Sequence, residues 1–214
     1  LFSTVNLQNP LFYNNIIKNS SILFDFLKIY IYNYFRKIRG DIMNYVSYKL
    51  TYPQRSILLT EQFHQNTCVS NIAGTLSINE KIDVDILEQA INLFIKKNDS
   101  LRINLFGSGR AIKQIIKDYS YIEVKKVVLS NNYSLNDLEN DIISKHFTLL
   151  NSDLYQFVIF KNQDGTGGFI ANLHHIISDA WTMSILIDQI VSFYSSLLKN
   201  EPIDIDDNQY SYID

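Results

Sequence analysis

Two adjacent histidines, His174 and His175, end an apolar run and are followed four positions later by Asp179. An imidazole with a reference pKa of about 6.5 can accept or donate a proton near neutral pH, which suits acid–base chemistry. Successive side chains on a strand point to opposite faces, so these two rings do not act together on one surface. We therefore expect one histidine to face inward and the other to project outward.

Other kinds of site fit these residues less well. A zinc site needs converging ligands, whereas neighbouring strand histidines diverge, and His64 and His146 lie in unrelated helical contexts. Ser178 and Ser184 lack the Gly-x-Ser-x-Gly frame of a nucleophilic serine, and residues 165–168 lack the Lys-Ser/Thr pair of a phosphate-binding loop. On spacing alone, a core histidine beside a surface histidine without chemical role remains an alternative.

The elements that position the histidines alternate between strand and helix patterns. Residues 169–173 read as a central strand reached through a hairpin, and Ser178 and Asp179 are natural N-caps for a following helix. The motif is therefore a strand-to-helix turn. The interleaving along the chain predicts an α/β fold, specifically an α+β two-layer sandwich. The last helix is expected to bury an apolar face formed by Ile187, Ile190, Val191, Tyr194, Leu197 and Leu198.

Composition limits the class of protein. With 214 residues, 46% hydrophobic and 19% charged, the chain suits one globular domain with an added element. A net charge of −3 argues against a nucleic-acid partner, which requires a clustered basic surface. The single Cys68 excludes an internal disulfide and a thiolate metal cluster, and it indicates a reducing compartment, the cytoplasm.

Residues 1–45 differ from the rest of the chain. They contain a helical pattern with one apolar face, formed by Leu23, Leu27, Tyr30 and Tyr34. Asp25 and Lys28 interrupt this pattern well before the ~20 apolar residues that a membrane span requires. We expect an N-terminal helical extension of unknown role that packs on its own domain, with an interfacial or partner-docking helix as the alternative.

The stretch from His174 to Trp181 resembles the His-His-x-x-x-Asp-Gly signature of nonribosomal peptide synthetase condensation domains, with Ala180 at the glycine position. This replacement bears on the shape of the pocket rather than on the family. Further stretches resemble other motifs of the family in the same order: residues 52–58, 97–102, 147–155 and 212–214. Gln54 and Trp181 match motif positions, and we expect both to have only structural, scaffold roles.

The resemblance implies a chloramphenicol acetyltransferase-like fold, in which two similar lobes form a V and each lobe has a mixed sheet covered by helices. Residues 46–214 would then be the N-terminal lobe of a condensation domain, with the second lobe absent. The active-site channel of this family runs between the lobes. The isolated lobe is therefore expected to be inactive.

The resemblance also implies roles for individual residues. His175 would be the catalytic histidine and would face the channel. His174, Asp179 and Arg102 would support the motif structurally, with His174 facing inward and Arg102 paired with Asp179. Such a pair is physically reasonable, because a guanidinium holds a carboxylate with two parallel hydrogen bonds.

The implied reaction is the attack of a carrier-bound aminoacyl amine on a carrier-bound acyl or peptidyl thioester, which forms an amide in antibiotic biosynthesis. An α-amine has a pKa of about 8, so His175 either removes its proton or positions it. No cofactor or metal is expected to bind directly, since substrates arrive on phosphopantetheine arms of carrier protein domains in adjacent synthetase modules. The alternatives are an epimerization domain, an acyl-CoA-dependent acyltransferase of the same superfamily, and a non-catalytic docking module.

Overall fold

The computed structural model describes residues 45–205 and 211–212. The helix expected within residues 1–45 lies outside the described residues, as do the last two positions of the stretch 212–214. All the elements given below lie in the unit Val46–Asp214.

Strands and helices alternate along the described chain. The strands are β1 Tyr48–Lys49, β2 Asn71–Ile78, β3 Ile103–Phe106, β4 Lys113–Ile116, β5 Lys125–Val128, β6 Tyr155–Lys161 and β7 Gly167–His174. The helices are α1 Tyr52–Phe63, α2 Val84–Lys97, α3 Leu135–Ile143 and α4 Ala180–Leu198, with short 3-10 turns at Asp99–Arg102 and Gly109–Ala111. This interleaving confirms the expected α/β fold.

The strands form two sheets. The larger sheet has the order β2-β7-β6-β5, with β5 parallel to β6 and the other pairs antiparallel, so it is a mixed sheet. The smaller antiparallel sheet has the order β1-β4-β3. Strand β7 has a neighbour on each side and is buried along its whole length. A side chain at Gly168 would collide with the carbonyl oxygen of Leu76 on β2, so this strand pair requires glycine there.

Helices cover both faces of the larger sheet. On one face, α2 and α4 pack against Phe169, Ala171 and Leu173 of β7 in the main hydrophobic core. On the other face, α3 packs against a smaller cluster that contains Ile170. The alternation along β7 therefore separates the two faces, as the sequence pattern predicts.

The buried face of α4 differs from the expected one. Ile190 and Tyr194 are buried as predicted, but Ile187, Val191 and Leu198 are 37%, 43% and 48% exposed. The buried residues of this helix are Leu186, Ile190, Phe193 and Tyr194, which form a single stripe at helical spacing. Because α4 carries apolar residues on nearly every side, its periodicity did not show which stripe faces the core.

Among the helices that the structure describes, none combines the length and the apolar character that crossing a membrane requires.

Candidate active site

The histidines lie where the central strand gives way to a helix. Strand β7 ends at His174 and α4 begins at Ala180, so residues 175–179 form the connecting turn. The His174 carbonyl accepts hydrogen bonds from the Ile177 N–H, at 3.1 Å, and from Ser178 Oγ, at 2.9 Å. The His175 N–H donates to the Ser70 carbonyl across the end of the sheet, at 2.8 Å. The turn is therefore held from within and from the side of β2.

The His175 ring is exposed and has a defined tautomer. Its Nδ1 lies 2.6 Å from the carbonyl oxygen of Ser178. A carbonyl oxygen only accepts hydrogen bonds, so Nδ1 of the neutral ring must carry the proton. The lone pair of Nε2 is consequently free to accept a proton from a bound substrate.

His174 is buried, with 1% of its surface exposed, and has the opposite tautomer. Its Nδ1 accepts a hydrogen bond from the Ile176 N–H at 3.1 Å, so the proton of the neutral ring is on Nε2. Nε2 lies 3.4 Å from Glu61 Oε1, a distance longer than a normal hydrogen bond. Burial lowers the pKa of His174, while the Glu61 carboxylate partly opposes this shift. The structure thus places the two histidines on the opposite sides that the strand pattern predicts.

Asp179 is the N-cap of α4. Its Oδ1 accepts hydrogen bonds from the Thr182 N–H and the Thr182 hydroxyl, each at 2.8 Å. The Asp179 N–H donates in return to Thr182 Oγ1 at 3.1 Å, which completes a capping box. The hydrogen bonds from Thr182 lower the pKa of this carboxyl group. Asp179 therefore remains ionised and fixes the first turn of the helix.

The expected ion pair between Arg102 and Asp179 is not present among the described residues, and this prediction is corrected. Arg102 Nε donates to the Lys117 carbonyl at 3.1 Å, and Nη1 donates to the carbonyls of Ile95, at 3.4 Å, and Lys96. The last carbonyls of α2 have no partner within the helix, so a guanidinium beside them is favourable. Asp179 Oδ1 instead accepts the two hydrogen bonds from Thr182 that cap α4.

A cavity of about 660 Å³ lies between the end of α2 and the start of α4. Arg102, Lys117, Thr182 and Tyr212 contribute to its walls. The carboxylate of Asp99, also in the wall, accepts hydrogen bonds from Ser211 Oγ at 2.6 Å and from the Tyr212 N–H at 3.1 Å. The motif-like stretches at residues 97–102 and 212–214 therefore meet here, through the carboxylate of Asp99.

Gln54, which the sequence assigns to the scaffold, lies in a buried network of hydrogen bonds that reaches the turn. Its side chain is 1% exposed and donates from Nε2 to Gln114 Oε1 at 2.8 Å and to the Ile176 carbonyl at 3.2 Å. Gln114 Nε2 donates back to Gln54 Oε1 at 3.0 Å. The signal that was available is the spacing from Thr51 to Gln54, which forms a capping box on α1. No sequence signal pointed to Glu61.

The site as a whole offers acid–base chemistry. One exposed imidazole has a free lone pair, and an ionised carboxylate lies at the start of the next helix. Trp181, on the first turn of that helix, is 73% exposed. In the described part of the chain, no group of three or more His, Cys, Asp or Glu side chains is placed to hold a metal ion.

Comparison with known proteins relates the chain to peptide synthetases. Residues 45–214 match the family model described as "Condensation domain". The chain is 32% identical over 163 residues to surfactin synthase subunit 1 of Bacillus subtilis (strain 168), with 72% of the chain and 4% of that protein covered. It is 29% identical over 161 residues to a plipastatin synthase of the same organism, with 73% and 6% covered.

Solved condensation domains have the same fold. The starter condensation domain of rhizomide synthetase matches with a TM-score of 0.68 at 20% identity, over 74% of this chain and 40% of that one. The first condensation domain of the calcium-dependent antibiotic synthetase matches with a TM-score of 0.65 at 15% identity, over the same shares. These matches confirm the expected fold, and the chain spans 40% of the length of these two solved domains.

Proposed function

The chain belongs to the condensation-domain family, and on that premise we propose that residues 46–214 are the N-terminal lobe of a nonribosomal peptide synthetase condensation domain. The proposed reaction joins a carrier-bound aminoacyl amine to a carrier-bound acyl or peptidyl thioester. Carrier protein domains and adjacent synthetase modules are the proposed partners, since the two synthases named above are far longer than the matched stretch. A second lobe, matching the remaining length of the solved domains, would complete the channel.

The observation that carries this proposal is the state of the His175 ring. The ring is exposed at the end of the central strand, and the Ser178 carbonyl holds the proton on Nδ1. Nε2 is therefore an acceptor on the exposed side before any substrate arrives. A base prepared in this way avoids the cost of reorganising the ring during the reaction.

The chemistry follows from that acceptor. The amine nitrogen attacks the thioester carbonyl carbon, and a C–N bond forms while the C–S bond breaks. The amine proton passes to His175 Nε2 and then to the departing thiolate, so that the free carrier thiol and the neutral imidazole are restored. Alternatively, Nε2 accepts a hydrogen bond from the amine and holds it in line for attack, where positioning alone lowers the barrier by several kcal/mol.

The other residues of the proposed site act on the turn rather than on the substrate. Asp179 holds the first turn of α4, and His174 holds the Ile176 N–H beside the catalytic ring. Arg102 stabilises the end of α2 at the wall of the adjacent cavity. We propose structural roles for all three.

A second candidate donor is acyl-coenzyme A. One of the matching structures is a variant of the rhizomide synthetase starter condensation domain in complex with C8-CoA, with a TM-score of 0.69. The bond made and the bond broken would be the same, and only the carrier of the thioester would differ. The choice of donor is therefore a question of which thiol the complete channel accepts.

The test uses a protein that contains both lobes. Acyl-loaded and aminoacyl-loaded carrier domains are mixed with the wild type, with His175→Ala and with His146→Ala, and the carrier-bound products are weighed by mass spectrometry. His146 is exposed and outside the site, so its variant serves as the matched control. We expect amide product from the wild type and the control, and at least a hundredfold less from His175→Ala.

Other outcomes would indicate other functions. Product from acyl-CoA without a donor carrier would establish the second candidate. Exchange of the Cα proton without amide formation would indicate epimerization. Equal amide yield from the wild type and His175→Ala would contradict the proposed role of His175, and silence in every assay would favour a docking module.

A further inference from the structure

Helix α1 contacts the chain on both sides of His175, at His174 and at Ile176. Gln54 and Glu61 are seven residues apart, which places them on the same face of the helix, two turns from each other. Gln54 Nε2 donates to the Ile176 carbonyl at 3.2 Å, and Glu61 Oε1 lies 3.4 Å from His174 Nε2. One helix face thus reaches both the residue before His175 and the residue after it.

The Ile176 peptide groups are held on two sides as a result. The Ile176 N–H donates to His174 Nδ1, and the Ile176 carbonyl accepts from Gln54. Ile176 itself is fully buried. Because His175 is joined directly to this residue, these two hydrogen bonds fix its backbone together with the hydrogen bond from the His175 N–H to the Ser70 carbonyl.

The hydrogen bond from Gln54 to the Ile176 carbonyl has a fixed geometry, because other hydrogen bonds hold the Gln54 amide in place. Gln54 and Gln114 exchange hydrogen bonds through both amide groups, and each is almost completely buried. The Thr51 N–H donates to Gln54 Oε1 at 2.9 Å, and Gln114 Nε2 also donates to the Lys49 carbonyl at 3.2 Å. The smaller sheet, through Gln114 of β4 and Lys49 of β1, therefore fixes the Gln54 side chain that contacts the turn.

The Glu61 contact selects one tautomer of His174. A carboxylate beside Nε2 favours the form that carries the proton on Nε2 and leaves Nδ1 as an acceptor. The other tautomer would place the Nδ1 proton against the Ile176 N–H, two donors facing each other. Removing Glu61 therefore removes the charge that favours the form which the turn requires.

We propose that Gln54 and Glu61 are positioning residues for His175: from one face of α1 they fix the Ile176 peptide and the tautomer of His174, and so the geometry of the catalytic turn. The catalytic meaning of this inference rests on the proposed function. The positioning itself does not, because the hydrogen bond from His175 Nδ1 to the Ser178 carbonyl is a property of the folded chain.

The test measures that hydrogen bond directly. The 214-residue chain is labelled with ¹⁵N in its four histidines, and long-range ¹⁵N–¹H NMR correlations report the tautomer of each ring. In the wild type, we expect His175 with its proton on Nδ1 and His174 with its proton on Nε2. In Glu61→Ala and Gln54→Ala, we expect the His175 ring to lose most of its excess of the Nδ1–H form.

Two further variants keep the inference testable. Glu61→Gln retains an acceptor beside His174 and should restore at least half of the His175 signal lost in Glu61→Ala. Gln54→Met preserves side-chain length without the donor, so it replaces Gln54→Ala if that variant does not fold. In Gln54→Met too, the His175 ring should lose most of its excess of the Nδ1–H form. Gln62→Ala, at the exposed neighbouring position on α1, is the matched control and should leave all four histidine spectra unchanged.

Kinetics in a protein with both lobes complete the test. For Glu61→Ala, we expect kcat to fall about tenfold or more while KM stays within about twofold, as for misplacement of a catalytic group. Folded Glu61 and Gln54 variants with wild-type His175 spectra would overturn the inference. Altered spectra together with a wild type that forms no amide would instead retain the positioning and refute the proposed reaction.

Discussion

At the residue scale, the two adjacent histidines have opposite tautomers. His174 accepts at Nδ1 and carries its proton on Nε2, whereas His175 donates from Nδ1 and leaves Nε2 open. The His174 ring is buried and holds the turn, whereas His175 is exposed, where we propose that it meets the substrate. His174 fulfils its role only when neutral, because a proton on Nδ1 would face the Ile176 N–H.

This requirement gives the stability of the fold a pH dependence. Burial holds the pKa of His174 below its ordinary 6.5, against the opposing effect of the facing Glu61 carboxylate, and the adjacent His175 lowers it further when charged. Below about pH 6.5 the unfolded chain therefore binds a proton that the folded chain still excludes. The contribution of His174 to the free energy of unfolding is complete above that pH and is lost as the pH falls towards the folded pKa.

The measurement is urea unfolding between pH 5 and pH 8. We expect the free energy of unfolding to rise with pH in the lower half of this range, and His174→Gln to flatten the rise. His146→Gln, at an exposed position, should keep the wild-type slope. An identical slope in His174→Gln and the wild type would mean that other groups cause the dependence.

A second prediction at this scale concerns the corrected ion pair. Arg102 donates to carbonyls of α2 and Lys117, and Asp179 caps α4, so the two side chains share no partner. In a double-mutant cycle with Arg102→Ala and Asp179→Ala, we expect the two losses of unfolding free energy to add within about 0.5 kcal/mol.

The matched positive control is the ion pair between Lys126 and Glu88. Their charged atoms lie 2.8 Å apart, and the Glu88 side chain is only 9% exposed. This cycle should show a coupling above about 0.5 kcal/mol. A coupling of that size between Arg102 and Asp179 would restore the pair that the sequence resemblance implied.

At the scale of elements, α4 shows why periodicity alone assigned its face incorrectly. Ile190 is fully buried, whereas Ile187, which directly follows the buried Leu186, is 37% exposed. Both are isoleucines in the same helix, so the residue type carries no information about the difference. The packing of α4 against α2 and the larger sheet determines which stripe is buried.

The two isoleucines provide a matched test of that packing. Ile190→Ala should cost about 2–5 kcal/mol of unfolding free energy, because it leaves a cavity in the core. Ile187→Ala should cost less than about 1 kcal/mol, as is usual for a partly exposed position. Chemical denaturation of both variants measures the difference, and equal losses would show that Ile187 is buried in solution.

Local patterns were sufficient where contacts are local. The alternation along β7 predicted the opposite directions of His174 and His175, and the capping preference of Asp179 predicted the start of α4. The partners of Gln54 and Arg102 could not be predicted in this way. Gln114 lies sixty residues from Gln54, and the carbonyls that Arg102 contacts are free only because α2 ends beside it.

At the scale of the whole molecule, the larger sheet joins segments that are far apart in the sequence. Asn71 of β2 pairs with His174 of β7, and β5 runs parallel to β6. The sequence pattern predicted the central strand at residues 169–173 and its hairpin but not this order, since alternation does not say which strand is a neighbour. The motif resemblance did predict the family fold, because it compares the whole series of stretches at once.

The exposed position of His175 leads to the last prediction. Within the described residues, hydrogen bonds from α1, from Ser70 just before β2, and from α4 support the turn that carries His175. The imidazole of His175 lies at an exposed position and does not line the 660 Å³ cavity. Catalysis by positioning requires both substrates to be held in reacting geometry beside that ring. We therefore expect the 214-residue chain to fold but to form no amide above the His175→Ala background when it is given both loaded carriers.

Complementation tests whether the proposed second lobe is what amide formation requires. A separately produced second lobe of the same parent protein is added to the chain, and carrier-bound amide is weighed over time. Because His175 is already in its acceptor form, we expect product to appear with the added lobe and to be absent when His175→Ala replaces the wild-type chain. Amide formation by the chain alone, dependent on His175, would show instead that this lobe holds both substrates by itself.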